Sequence, residues 1–247
     1  MRERLTSRKN PKIVSALSRV KEGNAFFAEG FHCVEMALSS GLAEEVYSLK
    51  EIACPGAGLY LVTPEIIEKL SGNKNPEGII ALCHKKEPQK ELGERILFLD
   101  WVQDPGNVGA IMRSALAFSF STIIFSEGSA SPYNQKALMA GQGSIFSLNV
   151  IQGKGKPEDV VSSLKKDGYS ILGSALHGAS SLDEANIPNG KLCLILGNEG
   201  QGMRESLFPL CDQLLYIPIS GIDSLNVAIA GSILMREISK SQGFNSL

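Results

Sequence analysis

The sequence predicts an α/β protein with a small first domain and a larger second domain built on a parallel sheet. Three observations carry this. From residue 95 onward, apolar runs alternate with helix-like segments, as expected of a mostly parallel sheet covered on both faces. The stretch 84–94, HKKEPQKELGE, is polar and holds a proline and a glycine, which marks a linker. Two late apolar runs, 192–196 and 214–219, each end in a loop of glycine or small polar residues. In such sheets these loops lie at the carboxyl ends of the strands, where pockets form.

The elements follow in order. Residues 1–21 carry Ile13, Val14 and Leu17 at the spacing of a short amphipathic helix. Residues 26–30 read as a strand into a turn and 31–40 as a helix stopped by Gly41. Short strands are predicted at 45–48 and 58–62. Thr63-Pro64 begins a helix, with threonine as the cap and proline at the first position, and Ser71-Gly72 ends it. Residues 78–83 form a further strand, so 1–85 make a small α/β domain and 86–94 the linker. In the second domain, 95–247, the run 96–102 is a buried strand. A helix with small residues follows at 107–119, then a strand at 122–125, a helix at 133–140 and an extended segment at 145–150. A helix at 157–167, strands at 169–174, 192–196 and 214–219, and a last helix at 227–238 complete it.

Composition bounds the class. The 247 residues are 43% hydrophobic and 20% charged, the balance of an ordinary globular chain. Cys33, Cys54, Cys83, Cys193 and Cys211 lack metal-ligand spacing, and His32, His84 and His177 are scattered. A disulfide framework or a metal site is therefore not expected, and a reducing cytoplasm suits the chain. No apolar run has the length of a membrane span, and the basic start lacks the apolar core of a secretory signal. Charge is uneven: residues 1–90 hold 13 Lys and Arg against 11 acids, and residues 91–247 hold 11 against 15. Arg2, Arg4, Arg8, Lys9, Lys12, Arg19 and Lys21 face Glu3 alone within residues 1–21. Such a cationic arm can meet phosphates, and it can equally be a solvated terminus.

Three loops compete to carry chemistry. Asp104-Pro105-Gly106-Asn107-Val108-Gly109 opens a helix with Asn107 as a good N-cap. A plain strand-to-helix turn explains its glycine and proline but not Arg113, set among Ala110, Ile111, Met112, Ala115 and Leu116. An arginine there calls for an anion or a carboxylate. The loop 197–202, GNEGQG, is neither G-x-G-x-x-G nor a P-loop, and Glu199 would repel a phosphate. Its carboxylate suits an amide, a hydroxyl or a guanidinium. The third loop ends in Ser224-Leu225-Asn226, whose polar residues taken alone read as helix caps.

Together, DPGNVGAIMRSA, LILGNEGQGM and IPISGIDSLNVAIA resemble, in order and spacing, the three motifs of the TrmH (SpoU) family. These are SPOUT-superfamily RNA ribose 2′-O-methyltransferases that use S-adenosylmethionine. The segments FFAEGFHCVEMAL and LSGNKNPEGIIAL resemble the family's small, ribosomal-protein-like substrate-binding domain. The resemblance implies a deep trefoil knot over roughly residues 192–240, a homodimer formed by the second domain, and RNA as substrate, ribosomal RNA favoured over transfer RNA. It implies cofactor contacts at Gly197, Ile217 and Leu225, with Leu196, Gly202 and Ile219 beside them. Arg113 becomes the central catalytic residue, near the partner's cofactor. Glu199 and Asn107 would orient it and the ribose, while Ser224 and Asn226 fix the third loop and contact substrate. No metal is required. An inactive RNA-binding protein of the same fold is the alternative, against which Arg113, Glu199, Ser224 and Asn226 all speak. A nicotinamide-dependent oxidoreductase lacks its fingerprint here.

Overall fold

The computed structural model describes residues 2–71, 73, 75–176 and 178–243. They form two compact units, Met1–Glu87 and Pro88–Leu247.

The first unit runs β1 (Arg2–Leu5), α1 (Pro11–Lys21), β2 (Ala25–Glu29), α2 (Phe31–Ser39), β3 (Ala43–Ser48), β4 (Gly58–Val62), α3 (Pro64–Leu70) and β5 (Ile79–His84). Its sheet has the order β1-β4-β3-β5-β2. β1 and β3 run parallel to β4, and β5 runs antiparallel to β2 and β3. Residues 2–21 fold into the unit and do not form a free arm. β1 pairs along the edge strand β4, and Leu5, Ile13 and Ala16 join Phe27, Ile66 and Leu82 in the core. A strand reading RERL holds a single apolar residue, too few for the alternation that betrays a half-buried strand. α1 starts where Asn10 Oδ1 accepts from Lys12 N at 2.9 Å and Pro11 takes the first position. Two of the basic residues are already paired, Arg8 to Glu68 at 3.2 Å and Arg19 to Glu44 at 2.7 Å. Ser71 caps α3, and the expected stop at Gly72 lies outside the described residues.

The second unit runs β6 (Arg95–Leu99), α4 (Pro105–Ala117), β7 (Thr122–Phe125), α5 (Gln135–Gly141), β8 (Asn149–Gln152), α6 (Pro157–Lys166), β9 (Ser170–Ser174), β10 (Ser180–Ser181), β11 (Leu192–Leu196), β12 (Gln213–Tyr216) and α7 (Val227–Ser241). The described strands order as β10-β12-β9-β11-β6-β7-β8, every neighbouring pair parallel. β6 and β11 sit centrally, which is why they read as unbroken apolar runs: each residue of Leu192–Leu196 is at most 1% exposed. Alternation divides their side chains. Ile96, Phe98, Cys193 and Ile195 pack with Val161 and Leu164 of α6 on one face. On the other, α7 comes so close that a Cβ on Gly231 would stand 2.5 Å from Leu196 Cδ1. α4 packs against α5 at Gly109, where a Cβ would lie 2.2 Å from the Ala137 carbonyl oxygen.

Some expected boundaries shift for physical reasons. The segment 145–150 is not extended throughout: Ser144–Phe146 turns as a 3-10 helix and the strand starts at Asn149. β12 stops at Tyr216, because Pro218 has no N–H to offer a ladder. A second 3-10 turn, Glu205–Leu210, and the two-residue β10 carry no periodic pattern.

The folded state of residues 2–21 has a direct consequence. Ile13→Ala empties a fully buried site in the first unit's core and should cost about 2–4 kcal/mol in urea unfolding. Val14→Ala, at a position 50% exposed, should change stability by less than about 0.5 kcal/mol.

Candidate active site

Because the second unit's strands are parallel, the loops after β6, β9, β11 and β12 emerge at one edge of the sheet. The first loop begins α4 differently from the expectation. The N-cap is Asp104, whose Oδ1 accepts from Asn107 N at 2.9 Å, with Pro105 at the first helical position. Asp104 meets Lys136 Nζ at 2.7 Å, and this ammonium, followed by the Asn107 N–H, holds its carboxyl below the usual value. Asn107 is therefore one turn inside the helix, and its side chain is free to reach elsewhere.

It reaches both other loops. Asn107 Nδ2 donates to Glu199 Oε1 at 3.0 Å, and Asn107 Oδ1 accepts from Asn226 Nδ2 at 3.0 Å. Glu199 also accepts from the backbone N–H groups of Asp104 at 3.3 Å and Gln103 at 3.4 Å. Asn226 is the N-cap of α7, with Oδ1 accepting from Ala228 N at 2.9 Å and Ile229 N at 3.3 Å. Its cap reading and its site reading thus both hold, through different atoms of one amide.

The second loop is a tight closed turn. Asn198 and Gly202 exchange two backbone hydrogen bonds of 2.9 Å, and Asn198 Oδ1 accepts from Gly200 N and Gln201 N. A Cβ on Gly197 would lie 2.1 Å from Met203 N and 2.2 Å from the Gly202 carbonyl carbon. Only glycine admits that approach.

Beside this loop opens a cavity of about 330 Å³, at the small end of the range for small-molecule sites. Leu196, Gly197, Gly202, Ile217, Ile219 and Leu225, singled out as cofactor contacts, all line it, as do Glu199 and Ser224. Phe208, Tyr216 and Met203 add an apolar wall that periodicity did not single out, because the first lies in an irregular turn and the others at strand and loop ends. Among the described lining residues the one charge is the Glu199 carboxylate. Such a lining fits an aromatic base and a cationic sulfonium better than a string of phosphates.

Arg113 does not join this cluster within the chain. Its side chain is exposed and has no hydrogen-bond or ion-pair partner among the described residues. Glu199 and Asn107 do not orient it within one chain: Asn107 and Arg113 lie six positions apart on α4, about 9 Å along the axis and on different sides of it. The Glu199 oxygens are taken by the first loop instead. Among the described residues no group of three His, Cys, Asp or Glu side chains stands together as a metal site, and no helix is long and apolar enough to cross a membrane.

Fold and site define an α/β protein whose parallel sheet ends in three hydrogen-bonded loops, two of which line a cavity sized for a small molecule. The model of the SpoU rRNA Methylase family matches residues 94–236, and the chain belongs to this family. It is 34% identical over 220 residues to the 23S rRNA (guanosine(2553)-2′-O)-methyltransferase RlmP of Bacillus subtilis, covering 86% of this chain and 87% of the relative. It is 28% identical to the 23S rRNA (guanosine-2′-O-)-methyltransferase RlmB of Vibrio vulnificus, covering 76% and 80%. Among solved structures, the AdoMet-bound rRNA methyltransferase from Sinorhizobium meliloti superposes with a TM-score of 0.84 at 26% identity, over 97% of this chain and 98% of that one.

The two loop glycines should respond unequally to alanine. Gly202→Ala meets nothing within 4 Å and bears only the strain of φ +74°, about 1–2 kcal/mol. Gly197→Ala forces backbone against backbone and should cost more, about 3 kcal/mol or greater. Denaturant unfolding of both variants reads the order directly.

Proposed function

We propose that this protein transfers a methyl group from S-adenosylmethionine to a ribose 2′-hydroxyl of ribosomal RNA, in the cytoplasm. The observation that carries the reading is the linkage of three loops, through Asn226, Asn107 and Glu199, beside a cavity lined by Leu196, Gly197, Gly202, Ile217, Ile219 and Leu225. Relatives that match most of the chain bear the names of 23S rRNA 2′-O-methyltransferases, which favours ribosomal over transfer RNA and an active enzyme over an inactive binder.

When bound, S-adenosylmethionine would supply an electrophilic methyl to the ribose oxygen, with S-adenosylhomocysteine as the leaving group and the hydroxyl proton released to water. The chain supplies position and charge. Its apolar walls and the backbone of the 197–202 and 217–225 loops would hold the cofactor. Glu199 and Asn107 keep the first loop beside that cavity, and Ser224, exposed on its rim, faces the ribose together with Asn226. Arg113 binds the phosphate next to the target ribose and stabilises the alkoxide character of the attacking oxygen. A guanidinium, with a pKa above about 12, remains protonated throughout and does not act as the base.

Residues 192–240 form the trefoil knot of this reading. Residues 1–85 are the RNA-holding domain, joined by 86–94 to the methyltransferase domain 95–247. Two chains pair through the second domain, so that Arg113 serves the partner's cavity. An exposed arginine on α4 with no partner among the described residues supports this, as do Leu116, 39% exposed on the same helix, and Ile229, 54% exposed on α7, which packs against α4.

Arg113→Ala should abolish methyl transfer while cofactor affinity and melting temperature stay near wild type. Arg113→Lys should also be poor, since a point charge does not replace a planar fork. Single-turnover rates at saturating RNA decide it, and a rate within about threefold of wild type would remove Arg113 from the site.

Assembly has its own test. Light scattering should give a mass near twice the chain's 26.5 kDa. Mixing Arg113→Ala chains with chains disabled in the cofactor loop should restore up to about half the wild-type rate per mixed dimer, because one of its two sites is then whole. Failure to complement in a verified mixed dimer would place Arg113 in its own chain's site.

A further inference from the structure

One buried carboxylate has no part in the linkage of the three loops. Asp100, at the carboxyl end of β6, is fully buried. Its N–H donates to the Leu196 carbonyl at 2.8 Å, just before the cofactor loop, and its Oδ2 accepts from Arg204 N at 2.9 Å, just after it. Its Oδ1 faces Arg204 Nε at 3.3 Å, an ion-pair contact without a well-angled hydrogen bond. A single residue thus grips both ends of the 197–203 turn that walls the cavity. A carboxylate with no exposed surface persists only where a charge partner and hydrogen bonds replace water. Here the guanidinium of Arg204 is that partner.

The next residue tightens the same grip. Trp101 holds φ +62°, a rare conformation for a bulky side chain. The turn aims its carbonyl at Asn198 Nδ2, 3.0 Å away inside the loop, while its N–H donates to Ser126 Oγ at 2.9 Å. The indole lies 6.0 Å from the Arg204 guanidinium and so close to Gly128 that a Cβ there would stand 2.7 Å from it. Arg204 also donates to the Glu127 carbonyl at 3.3 Å, which fixes the far side of the guanidinium. Backbone strain at Trp101 and a buried charge at Asp100 both serve one outcome, the shape of residues 197–203.

We propose that Asp100 is a positioning residue for the cofactor: paired with Arg204, it holds the 197–203 turn in its binding shape without touching the ligand. This rests on the function proposed above. If so, breaking the pair loosens the cavity and leaves the chemistry, which depends on Arg113 and the RNA, largely intact.

The test uses the full chain and the variants Asp100→Asn, Asp100→Ala, Arg204→Ala and Arg204→Lys. Calorimetric titration with S-adenosylmethionine, melting temperature, and methyl-transfer kinetics at saturating cofactor are measured on each. Asp100→Ala and Arg204→Ala should raise the cofactor Kd about tenfold or more, with kcat and the KM for RNA within about threefold of wild type. Asp100→Asn, which keeps an acceptor for Arg204 N, should fall between, and Arg204→Lys should recover part of the loss. A general loss of folded protein would lower kcat in proportion to the active fraction and leave the Kd of the remainder unchanged; that result overturns the proposal. So does a Kd within about twofold of wild type in a variant that melts cooperatively. Should Asp100→Ala fail to fold, Asp100→Asn carries the same test, because it keeps the acceptor for Arg204 N and releases only a guanidinium that is 34% exposed. Wild-type protein that binds no S-adenosylmethionine would overturn the proposed function, and this inference with it.

Discussion

The Glu199 carboxylate is the acceptor on which the arrangement of the second unit's loops depends. It lies in the closed 197–202 turn, three residues beyond the end of β11, where the turn's own hydrogen bonds set its position. Three donors from the first loop converge on it: the N–H groups of Gln103 and Asp104 and the amide of Asn107. The direction of the chain of amides is also determined. Asn226 spends its oxygen on the first N–H groups of α7, so its nitrogen must donate to Asn107 Oδ1. That leaves the Asn107 nitrogen to donate to Glu199, the strongest acceptor within reach. A glutamine at position 199 would offer one acceptor oxygen where two are used.

Close packing supplies what hydrogen bonds alone do not. Gly231 lets α7 settle onto Leu196, Gly109 lets α4 settle onto α5, and Gly197 lets the 197–202 turn close on itself. Each approach brings backbone or a buried side chain into the space where a Cβ would sit. The helices that carry Asn107, Arg113 and Asn226 are therefore seated at fixed heights above the strand ends. Ser114 Oγ and Ser232 Oγ, 2.7 Å apart, join α4 to α7 further along both helices. The result is a polar rim on a rigid apolar base, which suits a reaction governed by orientation.

Much of this was legible in the residues. The buried central strands read as unbroken apolar runs because parallel strands are covered on both faces. The three loops announced themselves by glycine, proline and small polar residues at strand ends. Other features were hidden for definite reasons. β1 escaped notice because three of its four residues are charged, and its place in the fold comes from pairing with β4. Asn107 has the residue type of a cap, but Asp104 does the capping through a side chain that also meets Lys136. Phe208 and Tyr216 reach the cavity from a 3-10 turn and a strand end, where neither period applies. The grip of Asp100 on Arg204 spans 104 residues of sequence, and no local pattern records a contact of that kind.

The central claim is that these loops direct methyl transfer to a ribose oxygen. Purified protein, protein-free ribosomal RNA and S-adenosylmethionine with an isotopically labelled methyl suffice to test it. After transfer, the RNA is digested with alkali, which needs a free 2′-hydroxyl to cut the chain, and the products are weighed by mass spectrometry. The account predicts label in an alkali-resistant dinucleotide, with the added mass on the sugar. Label on a base, or no label from protein that binds the cofactor and the RNA, would contradict it.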